Sequence, residues 1–155
     1  MIQDYIYIAV FASFPEVIVM LLFGFSLSNF RNVNISKLLI VAFIQTIVAL
    51  LVRFFNVYLG VHTIVQIISL YILVVVIFKI KYYKAIIPVL IGMLSQGLIQ
   101  NITLPLIVNV WQIDTTNLYY NPKNLVLAAF HIFIISLILL IIIKRKRFFL
   151  CDIND

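Results

Sequence analysis

Glu16, Arg53, His62 and Gln66 are the side chains best suited to chemistry, because each stands inside or at the edge of a long apolar run. Glu16 follows Pro15 near the middle of the first run. An acid at the centre of a membrane-crossing helix costs about 2.5–3.5 kcal/mol on insertion scales, so it is carried neutral or paired, and such groups are by default functional. Arg53, His62 and His131 are its candidate partners. A carboxyl so placed can handle a proton, an ion or a ligand. It can equally bond a backbone group that Pro15 leaves unpaired.

Arg53 and His62 bracket the short segment from Phe54 to Val61. His62, Gln66 and Ser69 fall on one helical face at i, i+4 and i+7, and Gln45, Ala49 and Arg53 share a face of the preceding run at i, i+4 and i+8. Two such faces can line an outward-opening polar pocket for a ligand or signal. They can also simply tie helices together, at about 0.6 kcal/mol per interhelical hydrogen bond. Gln96, Gln100 and Asn101, with Gly92 and Gly97 nearby, read as helix packing or dimerisation: small residues let helices approach and amides bond across the gap. His131 stands alone and reads as a satisfied interior histidine.

Enzyme templates do not fit. The two histidines form no metal-ligand pair at helical spacing, and no glycine-rich phosphate loop is present. No nucleophile motif surrounds any serine. The aspartates lie outside the apolar runs, which excludes a paired-aspartate membrane protease. Cys151, the one cysteine, sits in the tail far from both histidines and offers neither a disulfide framework nor a metal site. The expectation is a non-enzymatic protein with no metal and no cofactor.

The elements that hold these side chains follow from composition. Of 155 residues, 65% are hydrophobic and 10% charged, with a mean hydropathy of +1.22. A soluble domain is nearer half apolar and a quarter charged. The apolar runs have the length of membrane-crossing helices. No ten-residue segments alternate at period two, which argues against a membrane β-barrel, and backbone groups in lipid must pair internally. The pattern predicts one all-α transmembrane domain over residues 1–155. Its five helices span about 6–27, 38–54, 61–78, 85–109 and 124–143. Pro105, after Asn101, is a point where the fourth helix can break. The longest connection, Val110 to Lys123, carries Trp111, Tyr119 and Tyr120, as suits a membrane interface.

Charge tests this segmentation. The net charge is +6, but the cations sit at the ends of apolar runs and read as topology signals rather than as a nucleic-acid surface. Five helices put Arg31, Lys37, Lys79, Lys81, Lys84, Lys144, Arg145, Lys146 and Arg147 on one side, nine of the eleven basic residues. Arg53 and Lys123 fall on the other, with Asp4 and Asp114. The positive-inside rule then predicts an outside N-terminus and a cytoplasmic C-terminus. Lys144 to Arg147 read as a stop-transfer signal that can also anchor the last helix at an anionic leaflet, at about 1 kcal/mol per basic residue.

The stretch Leu51-Val52-Arg53 through Gly60-Val61-His62-Thr63-Ile64-Val65-Gln66-Ile67-Ile68 resembles the N-terminal membrane region of sensor histidine kinases of low-GC Gram-positive bacteria, of the quorum-sensing and sporulation types. In those regions an arginine ends one helix and a G-x-H-T turn opens the next. The acidic residue in the first helix and the basic Lys-x-Lys turn after the third are also similar. The resemblance covers most of the chain in layout and about 16 residues in motif. It implies a signal-sensing input module in a bacterial plasma membrane. The family's kinase portion has no counterpart before Asp155, so the expectation is a free-standing module that acts alone, or on a membrane protein partner or a second copy of itself. Two other readings stay open: a small-solute or ion transport component, such as a substrate-binding membrane subunit, and an accessory protein that binds another membrane protein. Beyond the lipid bilayer and such proteins, no partner is expected, and nucleic acid is not.

Overall fold

The computed structural model of the chain describes residues 2–30, 33–55, 59–111 and 122–153. It is all-helical, and five of its helices are long and apolar enough to cross a membrane. Helix α1 is a continuous run made of Ile2–Ile8, a π-helical turn Ala9–Ser13 and Phe14–Leu27. Then follow α2 (Ile35–Phe54), α3 (Leu59–Phe78), α4 (Tyr82–Trp111) and α5 (Pro122–Arg145). Arg31, the turn residues 56–58 and the polar connection with Asp114, Tyr119 and Tyr120 lie outside the described residues.

The helix ends differ from the sequence expectation for identifiable reasons. Asn34 caps α2 by accepting hydrogen bonds from the backbone N–H groups of Ser36 (2.9 Å) and Lys37 (3.3 Å), so α2 begins at Ile35 rather than near Leu38. In α1 the π turn, where the Phe14 N–H reaches the Ala9 carbonyl, precedes Pro15. It widens the helix where the proline ring would otherwise meet the carbonyl four residues back. Helix α4 does not break: it runs through both Pro88 and Pro105 for 30 residues. At 1.5 Å per residue that is about 45 Å, longer than a hydrocarbon core of about 30 Å, so α4 must tilt or protrude.

Helix α1 is the hub. Half of its membrane-length window is buried, a larger share than in any of the other four, and it packs against α2, α4 and α5. Its crossing with α4 brings backbone against backbone. A Cβ added at Gly24 would stand 2.0 Å from the Pro88 carbonyl oxygen, and one at Gly92 would stand 2.4 Å from that of Met20. Only glycine fits at either position. Around this crossing Val17, Met20, Leu21 and Phe25 pack with Leu38 and Val41 of α2, Leu70, Val74 and Phe78 of α3 and Ala85 and Val89 of α4. Outward faces stay apolar, as a lipid-facing surface requires: Ile64, Ile68, Ile72 and Val76 on α3, and Leu90, Leu94, Leu98 and Ile102 on α4.

The end of the bundle where α1, α3 and α5 finish is closed. Asn29 and Arg147 take left-handed backbone at φ 53° and 49°. The Phe30 N–H bonds the Phe25 carbonyl and the Phe148 N–H the Ile143 carbonyl, which caps α1 and α5 in the same way. The chain after α5 then folds back. Leu150 N–H donates to the Leu27 carbonyl at 2.7 Å and Ile153 N–H to that of Ser28 at 3.2 Å. Lys84 Nζ donates to the Ile153 carbonyl at 2.8 Å, and the Asn29 amide bonds Asp152. Ile153 is buried. The tail is a docked segment under the bundle, which a stop-transfer signal alone does not require.

Candidate functional site

Toward the other end the helices separate around polar side chains. A cavity of about 480 Å³ lies among α1 to α4. Helix α1 supplies Ser13, Glu16, Val17 and Met20 to its wall; α2 supplies Gln45, Ala49 and Arg53. Helix α3 supplies His62, Thr63 and Gln66, and α4 supplies Met93, Gln96, Gly97, Gln100 and Asn101. A second cavity of about 230 Å³ lies toward α5, between Leu104 on one side and Ala128 and Ile132 on the other. Glu16, Arg53, Gln96 and Gln100 border both.

The structure therefore brings Glu16, Arg53, His62 and Gln66 to one space. Spacing explains the convergence: Gln45, Ala49 and Arg53 form one face of α2, and His62 and Gln66 one face of α3. The two faces are fastened at the inner end of the cavity. Gln45 Nε2 donates to Gln66, at its backbone carbonyl (3.1 Å) and at its side-chain oxygen, and Ser69 Oγ donates to Gln45 Oε1 at 3.0 Å. Gln45 is almost fully buried, at 1% exposure, so this network is a true interior contact.

Glu16 has a partner that its charge alone does not suggest. Gln100 Nε2 donates to Glu16 Oε1, whereas His131 bonds the Leu127 carbonyl of its own helix through Nδ1 at 2.8 Å. Arg53 borders the same two cavities as Glu16. Yet no ion pair within 4.0 Å joins them, and Arg53 makes no hydrogen bond to any described residue. Gln100 is thus both a packing residue and a cavity wall. Gln96 is too: it accepts from Ser136 Oγ of α5 at 3.3 Å and borders both cavities. Asn101 lines the larger cavity.

Two polar atoms in this wall are buried without a hydrogen-bond partner, Ser13 Oγ and Gln66 Nε2. Ser13 is 4% exposed. A buried, unpaired polar group costs about 1–3 kcal/mol, and native structures hold few. Both of these border the same cavity, so whatever fills it can satisfy them. Sequence reasoning passed over Ser13; the available signal was its position three residues before Glu16, on the same helical face. Gly97 adds open space: a Cβ built there meets nothing within 4 Å. Among the described residues no three histidine, cysteine or acidic side chains gather as a metal site. The arrangement can hold a small polar molecule by charge and hydrogen bonding.

The chain matches no protein-family model, no curated protein and no solved structure.

Proposed function

We propose that this chain is a non-enzymatic, multi-pass module of a bacterial plasma membrane that binds a small polar ligand between its helices and signals occupancy through helix packing. In this reading the N-terminus is outside and the C-terminus cytoplasmic, and the output goes to a membrane protein partner or a second copy of the chain. The observation that carries it is the cavity of about 480 Å³ in which Glu16, Arg53, His62 and Gln66 meet beside the unpaired Ser13 Oγ and Gln66 Nε2. Polar groups at membrane depth are expensive, and pure helix glue would leave neither orphaned atoms nor open volume. The resemblance of Arg53 through Ile68 to sensor-kinase input regions points the same way.

Native mass spectrometry of the chain purified gently from its own membranes tests the reading. The expected result is a retained small molecule on the wild type that Arg53→Ala loses. A bare chain in both preparations would contradict it.

A second reading is favoured by one feature: Glu16 and Gln100 border both cavities, so a solute or ion could pass from one to the other. Uptake of the retained molecule into proteoliposomes, abolished by Glu16→Gln, would favour transport over sensing.

A further inference from the structure

The charges in the cavity are arranged in an unusual way for a bundle interior. An acid and a guanidinium border the same two spaces and still do not pair. Direct contact would be the cheapest arrangement in a medium of low dielectric. Only one oxygen of Glu16 is occupied, by Gln100, and Arg53 keeps its whole fork unused among the described residues. An occupant that is only an anion would match Arg53 and give Glu16 no counter-charge, and one that is only a cation would be opposed by Arg53. A molecule carrying both charges satisfies both and brings no net charge into the membrane.

We propose that the cavity takes a small zwitterion of amino-acid to dipeptide size, its ammonium at Glu16 and its carboxylate at Arg53, with Ser13 Oγ and Gln66 Nε2 supplying the hydrogen bonds between. The volume suits it: ligand pockets start at about 300 Å³, and this one is about 480 Å³. Planar bidentate recognition of a carboxylate is what an unpaired arginine does best. Met20, Met93, Val17 and Ala49 give an apolar wall for the ligand's side chain, and thioethers adapt to varied shapes. This inference rests on the cavity being a ligand site and adds what the ligand is.

A series of ω-amino acids from glycine to 8-aminooctanoate tests it, with hexanoate and hexylammonium as single-charge controls. Binding is read by thermal shift and isothermal titration on the full chain in nanodiscs. One chain length should bind best, and both controls at least about tenfold more weakly. Glu16→Gln should erase the advantage of the zwitterion over hexanoate, and Arg53→Gln its advantage over hexylammonium. Gly97→Leu puts a side chain into open space, so it should abolish binding while leaving helicity and a monodisperse elution peak unchanged. If hexanoate or hexylammonium binds as well as every zwitterion, the ligand class is wrong while the site stands. If no probe binds the ligand class is wrong, and if Gly97→Leu also keeps whatever small molecule the wild type retains from its own membranes, the ligand-site reading falls with it.

Discussion

The two ends of the bundle solve opposite problems. At the end where α1, α3 and α5 finish, backbones touch at Gly24 and Gly92, Phe25, Phe30 and Phe78 pack tilted or edge-on with ring centroids 4.8–6.3 Å apart, and the tail seals the bottom with main-chain hydrogen bonds. At the other end the same helices diverge, and their interior faces carry glutamines, an acid, an arginine and a histidine around open volume. In lipid the hydrophobic effect does not drive helices together; close packing and interhelical hydrogen bonds do. The packed end therefore supplies the association that lets the other end stay open. The π turn at Ala9–Ser13 lies on the open side and ends on Ser13, three residues before Glu16, in the cavity wall.

The largest expected effect breaks the packed end. Gly24→Ala forces a methyl group against the Pro88 carbonyl, and backbone cannot step aside as a side chain can. Destabilisation of about 3 kcal/mol or more is expected, read as loss of monodisperse protein or a lower melting temperature. Gly97→Ala, at the open end, should leave stability within about 0.5 kcal/mol of wild type. Equal effects would dissolve the contrast.

Gln45→Leu comes next. It removes the tie between α2 and α3 and strands the Gln66 side-chain oxygen, while Ser69 keeps the Gln66 carbonyl, which should cost about 1–2 kcal/mol. Cysteine crosslinking across α2 and α3 would then show a looser cavity rim. Removal of residues 148–153 should cost a similar amount and lower the melting temperature without reducing ligand retention, because the tail docks at the far end from the cavity. A truncated chain that kept its stability but lost its ligand would invert the assignment. The smallest effect is expected from Glu16→Gln. The amide keeps an acceptor for Gln100, so stability should shift by less than about 1 kcal/mol while ligand retention is lost.

Much of this contrast is legible in the sequence, and unevenly so. Five apolar runs and the placement of Lys79, Lys81, Lys84 and Lys144 to Arg147 fix the helices, because length and charge act locally. The i, i+4 faces of α2 and α3 place Gln45, Arg53, His62 and Gln66 together for the same reason. Which partner Glu16 chooses is not local. Its nearest formal counter-charges are Arg53 and the histidines, yet the α1–α4 crossing set by Gly24 and Gly92 delivers Gln100 to it. Nor does any periodicity announce the tail, whose docking depends on carbonyls left unpaired at Leu27 and Ser28 by the end of α1. Pro105 signals a break that does not occur, since one proline removes one helical bond and the residues around it remain strong enough to carry α4 through.

The most direct measurement asks whether the open end is wet polar space inside a membrane. In a Cys151→Ser background, Gly97→Cys stands in the cavity wall and Leu98→Cys, 63% exposed, stands on the lipid-facing side of the same helix turn. Only a hydrated thiol ionises and reacts with a small, cationic, membrane-impermeant thiosulfonate. The account predicts that Gly97→Cys in native membranes reacts at least about tenfold faster than Leu98→Cys. Equal rates, or an unreactive Gly97→Cys, would contradict it.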